Sequence, residues 1–146
     1  MSLSNTMENL WLLRLLHNAD IANIGDAGGL RGSVTAGNLY WALFTADPGE
    51  AGSAVTNETA YTGYARVAAP RSASGFTISA NVATPPADVD FPVCTANPGG
   101  ALTHAALVNT SSGAGTIIVS GTYAPNLTMT VGAIPRIKTT STFTLD

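Results

Sequence analysis

The stretch LYWALFTADPG (residues 39–49) joins one of the most apolar runs of the chain to one of its sharpest turns. Residues 39–44 are all apolar and three of them are aromatic, a pattern typical of a buried strand. Asp47-Pro48-Gly49 is ordinary turn chemistry, because Asp caps a turn and Pro fixes φ in advance. The sequence therefore predicts a strand at 39–44 that ends in a rigid turn. A mobile loop at 50–62, free to contact a neighbour, is expected after it.

The rest of the chain beyond residue 38 repeats this alternation of short strands and turns. Pro and Gly separate the apolar runs, several runs alternate between apolar and polar residues, and no further helix recurs. Ser111 to Gly115 reads as a hairpin turn between two strands. We therefore predict a mainly β fold, an antiparallel β-sandwich or jelly roll. The further strands are expected at 65–69, 76–82, 105–108, 116–123, 127–131 and 139–145.

The start of the chain has a different character and predicts one N-terminal α-helix within residues 4–26. Asn5 is a plausible N-cap, with Glu8 three residues later in capping-box spacing. The apolar side chains spread around most of the helix, and only Arg14, His17 and Asn18 form a polar strip. Such a helix is normally buried on more than one side, either in its own core or against another subunit.

These patterns predict a single β-sandwich domain over residues 1–146. Within it, 1–24 form an N-terminal arm and helix, 25–38 a Gly-rich loop, and 39–146 a β body.

The composition is unusually poor in charge. Only 10% of the 146 residues are charged, whereas about 25% is usual, while 45% are hydrophobic and the mean hydropathy is +0.22. Soluble monomers normally rely on charge to stay dispersed. We therefore expect a homo-oligomer, a dimer or trimer, that buries much of its surface. The alternative is a monomer solubilised by hydroxyl and amide groups.

Several classes of partner are excluded by the same counts. The net charge is −3 and the six basic residues are scattered, so no basic stripe suits nucleic acid. No apolar tract approaches the roughly 20 residues that span a bilayer, and no secretory signal is visible. The single cysteine, Cys94, excludes an internal disulfide and a multi-cysteine zinc site.

No catalytic constellation emerges from the titratable residues. Asp88 and Asp90 would share one face of an extended segment, but they are interpreted as solvent-facing acids beside a strand. His104 has no His, Cys or carboxylate nearby, and His17 lies on the polar strip of the helix. Cys94 is interpreted as a small buried apolar residue. We expect no enzyme activity, no metal and no cofactor.

A set of motifs in a fixed order resembles a family of small bacteriophage virion structural proteins. The set is Ser4-Asn5 with a Leu-rich helix, Thr45 to Gly49, Gly63 to Arg66, Phe91-Pro92, Thr103-His104 and Thr142 to Leu145. The Gly-rich loop at 25–37 and the segment APNLTMTVGAIPRI depart from the usual pattern. Proteins of this kind include head decoration (cement) proteins and proteins described as tail fibres.

The resemblance implies a virion protein assembled in the host cytoplasm. We expect a decoration protein that binds the outside of the capsid and bridges subunits of the major capsid protein. The alternative is a tail or fibre-tip module that binds a host surface glycan by stacking sugars on Tyr61 and Tyr64. In either case aromatic and apolar side chains are expected at the interface. The predicted interface residues are Leu10, Trp11, Leu12, Leu15, Leu16, Tyr40, Trp41, Tyr61 and Tyr64.

Overall fold

The N-terminal helix is present in the computed structural model, which describes residues 3–25 and 28–145. This helix, α1, spans Asn5–His17, and Ser4 rather than Asn5 is its N-cap. The Ser4 Oγ accepts a hydrogen bond from the Met7 N–H at 3.4 Å, which satisfies a donor of the first turn. The predicted cap was therefore wrong by one residue.

The same helix ends earlier than the apolar pattern suggested. Asn18 takes the left-handed conformation with φ 58°, and its N–H bonds to the carbonyl of Leu13. A residue in this conformation stops a helix, and Asn is one of the few types that adopts it readily. Beyond it, Ile21 and Leu30 form an isolated antiparallel bridge, so the predicted helical residues 18–24 are not helical.

Nine strands follow in the described part of the chain. They form a four-stranded sheet in the order β2-β1-β6-β7, a three-stranded sheet β3-β4-β9 and a two-stranded sheet β5-β8. The mainly β class with antiparallel pairing and one N-terminal helix is confirmed, whereas face-to-face sandwich packing stays a prediction. The strands are β1 (Asn38–Phe44), β2 (Val67–Pro70), β3 (Thr77–Ser79), β4 (Val82–Thr84), β5 (Val89–Asp90), β6 (Leu102–Val108), β7 (Ile117–Leu127), β8 (Arg136–Ile137) and β9 (Phe143–Thr144).

The predicted strands 65–69, 105–108 and 116–123 are present with shifted ends, whereas three others differ more. The run 76–82 is two strands, β3 and β4, because Ala80 has φ 52° and turns the chain back on itself. The run 127–131 is not a separate strand, since β7 already extends to Leu127. Only Phe143–Thr144 of the predicted strand 139–145 is paired. The two-residue strands β5 and β8 were missed, because so short a pairing leaves no periodic signal in the sequence.

The chain divides into two compact units. Unit 1 comprises Met1–Asn38, Ala69–Asp88 and Ile137–Asp146, and unit 2 comprises Leu39–Ala68 and Val89–Arg136. The prediction of a single domain stays a prediction. Its arm, loop and body include residues 1–2, 26–27 and 146, which lie outside the described residues.

In unit 1, α1 packs against β3 and β4. Leu12 and Leu16, one turn apart on the helix, are fully buried, as is Phe76 just before β3. The His17 Nε2 lies 2.7 Å from the Phe76 carbonyl oxygen and donates to it. A single face of the helix is therefore anchored in the core of its own unit.

In unit 2, β1 pairs with β6 in register from Tyr40↔Val108 to Phe44↔His104. The predicted strand at 39–44 is confirmed, and so is its turn. The Asp47 Oδ1 accepts the Gly49 N–H at 2.9 Å, and Gly49 has φ 72°. The predicted hairpin turn is also confirmed, since 111–115 connect β6 to β7. The core beside these strands consists of Ala42, Phe44, Ala54, Ala106 and Val108.

Candidate interaction surface

A concave surface of unit 1 is formed by a groove along α1, which we call the α1 groove. It has a volume of about 590 Å³. Trp11, Leu15 and Asn18 reach it from one face of the helix, because residues four and three positions apart lie above one another. Phe143 and Leu145 reach it from the C-terminal strand region, two residues apart on one side. The lining residues are Leu3, Trp11, Leu12, Arg14, Leu15, Asn18, Ser33, Arg71, Phe143 and Leu145.

Several lining side chains are exposed although they are apolar. Trp11 is 39% exposed and Leu3 is 42% exposed, whereas Leu12 at the base is buried. A concave apolar surface with an exposed Trp is the kind of surface that partners cover in complexes. The structure thus brings three of the predicted interface residues, Trp11, Leu12 and Leu15, into one groove.

The remaining predicted interface residues on the helix and on β1 lie elsewhere. Leu16 is fully buried in unit 1, and Leu10 is half-buried outside the groove. Tyr40 is half-buried and packs against the core of unit 2, and Trp41 next to it is also half-buried. The interface role of these four residues stays a prediction.

Two arginines give the α1 groove a positive charge. The Arg71 Nε donates to the Leu15 carbonyl at 2.6 Å, and its Nη2 donates to the Arg14 carbonyl at 2.8 Å. Arg71 thereby satisfies carbonyls of the last helical turn, where a cation is favoured by the helix dipole. Burial, and then the nearby positive charge of Arg14, lower the pKa of Arg71. Within the described residues, neither guanidinium group is paired with a carboxylate.

A buried polar network in unit 2 was not predicted. Arg66 is 9% exposed, and its Nε and Nη2 donate to the two Glu58 carboxylate oxygens at 2.6 and 2.8 Å. Its remaining donors reach backbone oxygens of Ala54, Thr110 and Gly113. Hydrogen bonding to Glu58 raises the pKa of Arg66. The sequence did contain one indication of this network, because Arg66 is a charged residue within the otherwise uncharged segment 59–70 of a chain that has few charges.

This network corrects the prediction of a free loop at 50–62. Ala54 is fully buried, and its N–H bonds to the Gly115 carbonyl at 2.9 Å. Glu58 is bridged to Phe44 and accepts the hydroxyl hydrogen of Tyr64 at 2.8 Å. The loop is therefore held at both its middle and its end, because the Arg66 guanidinium draws its polar groups inward.

Tyr61 and Tyr64 are engaged within unit 2. Tyr61 is 2% exposed, and its hydroxyl donates to the Pro92 carbonyl at 2.8 Å. Its ring meets Tyr64 edge to face at 5.4 Å, and Tyr64 stacks on Phe91 at 6.3 Å. Tyr61 is thus buried and Tyr64 half-buried; the interface role and the sugar stacking expected of these two residues stay predictions.

The acids and other titratable residues singled out from the sequence have ordinary partners. Asp90 pairs with Arg136, which lowers the pKa of that carboxyl group. Asp88 accepts the Thr139 N–H at 2.9 Å. The His104 Nδ1 lies 2.9 Å from the Thr103 hydroxyl, and Cys94 is buried.

No group of three or more His, Cys, Asp or Glu side chains in residues 3–25 and 28–145 could hold a metal ion. Over those same residues, no helix has both the length and the apolar character that crossing a membrane requires.

The chain thus has two mainly β units, and unit 1 carries an apolar groove lined by two arginines. A family model described as Podophage GP4 fiber I protein gp80 matches residues 3–144. The chain belongs to this family, and it is a bacteriophage virion structural protein. No curated protein matches it. The resemblance to phage virion proteins is confirmed at this level.

Proposed function

We propose that this chain is a structural subunit of a virion fibre. The observation that carries the proposal is the family match, which spans residues 3–144 and whose description is that of a fibre protein. The match covers both compact units, so the proposal applies to the described chain as a whole and not to one segment of it.

The geometry supports a rigid contact module. The network around Arg66 ties the 50–62 loop and the hairpin turn at 111–115 into unit 2, since Arg66 reaches Ala54, Thr110 and Gly113. Hydrogen bonds that join the two loops in this way favour a rigid unit 2. Tyr61 and Tyr64 stabilise this unit, and we do not assign them a glycan. We also propose that the chain is not an enzyme.

A second candidate is a capsid decoration protein that binds the major capsid protein. The observation that favours it is the low charge, 10% of residues, together with exposed apolar side chains on unit 2. Val131 is 64% exposed and Ile134 is 55% exposed. If each copy of an oligomer made such apolar contacts with the capsid, multivalency would raise the overall affinity for the shell above that of a single contact.

The two candidates differ in copy number. Quantitative mass spectrometry of purified particles would measure the ratio of this chain to the major capsid protein. A fibre subunit predicts a ratio far below one. A ratio close to one copy of this chain per major capsid protein, or close to one half or one third, would contradict the fibre proposal and support decoration. A matched control is any other fibre or tail protein of the same particle, whose ratio should be similarly low.

We further propose that the chain assembles as a dimer or trimer, on the basis of its charge-poor composition. Sedimentation equilibrium of the purified protein would test this. A single species at the mass of one chain, over a wide concentration range, would contradict it.

A further inference from the structure

We infer that the α1 groove binds an apolar segment of another virion protein that carries at least one carboxylate group. The inference rests on the chain being a virion component, and it holds whether that component belongs to the fibre or to the shell.

The apolar part of the inference follows from the walls of the groove. Its volume of about 590 Å³ lies within the range of roughly 300–1,000 Å³ found for sites that enclose a ligand. Of its lining residues, Trp11 and Leu15 are only partly covered, whereas Leu12 is buried. Burying a partly exposed Trp in a concave site is among the strongest single contributions to protein association. An apolar side chain of the partner is therefore the expected anchor.

The carboxylate follows from the charges that line the groove. Arg14 and Arg71 both line it, and among the residues that the structure describes no acidic side chain does. Arg71 already uses its Nε and Nη groups on backbone carbonyls, whereas Arg14 makes only one long bond of 3.5 Å to the Ala19 carbonyl. Most donors of Arg14 are therefore available, in the planar arrangement that suits a carboxylate.

A second copy of the same groove is disfavoured as the occupant. A two-fold contact would place two Arg14 and two Arg71 side chains together without a carboxylate, and like charges repel at short range. An anionic membrane is disfavoured as well. Recognition of anionic lipids uses clusters of about four to eight basic residues, whereas this chain has six scattered ones and a net charge of −3.

Photo-cross-linking in intact particles tests the inference. The photoreactive amino acid p-benzoylphenylalanine replaces Trp11 in one phage and Ala87, exposed and outside the groove, in a control phage. Immunoblotting first shows that each variant is incorporated. We expect irradiation of the Trp11 variant to yield a cross-link that maps to an apolar segment containing Asp or Glu in another virion protein. The Ala87 variant should not cross-link to that segment.

The charge is tested on the same cross-link. A second phage carries Arg14→Gln beside the photoreactive residue at 11, and its matched control carries Arg31→Gln, an exposed arginine outside the groove. Losing one charge-assisted contact should lower the yield about tenfold with Arg14→Gln, the equivalent of about 1.4 kcal/mol. The Arg31→Gln control should leave the yield unchanged.

Four results would overturn the inference. The first two are cross-links only between copies of this chain, and no cross-link from position 11 in particles that contain the variant. The third is an equal yield with Arg14→Gln and with Arg31→Gln. The fourth is Arg14-dependent binding of the free protein to phosphatidylglycerol vesicles in place of a virion cross-link. Absence of the unmodified chain from purified particles is a different result. It would contradict its place in the virion, and the inference with it.

Discussion

At the scale of single residues, the ion pair between Arg66 and Glu58 determines the arrangement of the loops in unit 2. The Arg66 side chain is 2% exposed and that of Glu58 is 14% exposed, so both charges are largely removed from water. Such a pair is costly to desolvate and still more costly to break, because the survivor is left as a buried, unpaired charge.

The Arg66→Met variant should therefore lose about 3–5 kcal/mol of unfolding free energy. Urea denaturation would measure this, with Arg136→Met as the control. The pair formed by Arg136 and Asp90 is about half exposed, with values of 49% and 50%. Its loss should cost no more than about 1 kcal/mol. Similar losses in the two variants would contradict the structural role given to Arg66.

The two tyrosines of unit 2 make stability depend on alkaline pH. Burial raises the pKa of Tyr61 to about 12, and burial raises the pKa of Tyr64 too. In the unfolded chain both phenols ionise near pH 10. The folded state therefore keeps its protons longer, so their contribution is complete below about pH 10 and is lost as the pH rises towards 12.

We expect the urea midpoint to fall between about pH 9 and pH 11, since that interval crosses the ordinary tyrosine pKa. The Tyr61→Phe variant should show a smaller fall, because one of the two shifted phenols is gone. Unfolding followed by circular dichroism at both pH values would measure it. An equal fall in the variant and in the native protein would contradict the assignment to Tyr61.

At the scale of secondary-structure elements, α1 has two different faces. Leu12 and Leu16 are buried in unit 1, while Trp11 faces the groove and is 39% exposed. The apolar residues all around the helix left open whether its second side meets its own core or another subunit. The structure gives one face to the core and leaves Trp11 partly exposed.

Substitutions on the two faces should therefore separate folding from association. Leu12→Ala should cost about 2–5 kcal/mol of unfolding free energy, as expected for a fully buried leucine. Trp11→Ala should cost less, because the ring is already partly in water, yet it should weaken retention of the protein on particles. Denaturation and immunoblots of washed particles would measure the two effects. A larger stability loss for Trp11→Ala than for Leu12→Ala would contradict this division.

The sequence predicted those strands and turns that are determined by residues within a few positions of one another. The strand at 39–44, its Asp-Pro-Gly turn and the hairpin between β6 and β7 were all recognisable, because turn residues and apolar runs act within a few positions. The end of α1 was missed since it depends on the left-handed conformation of Asn18. The division of residues 76–82 depends likewise on Ala80.

The candidate surface could be predicted only in part. Trp11, Leu12 and Leu15 were identified from the helix itself. The other walls of the α1 groove, Arg71 and the Phe143–Leu145 segment, come from distant parts of the sequence. Nothing local in those segments shows that they meet the helix. The Arg66 network was missed for the same reason, because its acceptors come from two loops that are distant in the sequence, 50–62 and the connection between β6 and β7.

At the scale of the whole molecule, membership of a phage virion family gives a reason for the low content of charged residues and for the exposed apolar side chains. With only 10% charged residues, the chain has the composition that we proposed to reflect contacts with other subunits, and the neighbouring proteins of a phage particle are the partners that this proposal requires. The family match extends over residues 3–144, so both compact units belong to the virion protein. The fibre proposal follows from the family description, and the α1 groove is the surface that we propose for attachment.

The most direct test of the fibre proposal is the position of this chain on the particle. A phage carrying an epitope tag on this chain can be labelled with gold-conjugated antibody and imaged by electron microscopy, with untagged particles as the control. The fibre proposal predicts that gold lies along or at the base of the fibres and is sparse on the shell. Gold spread evenly over the capsid surface would contradict it.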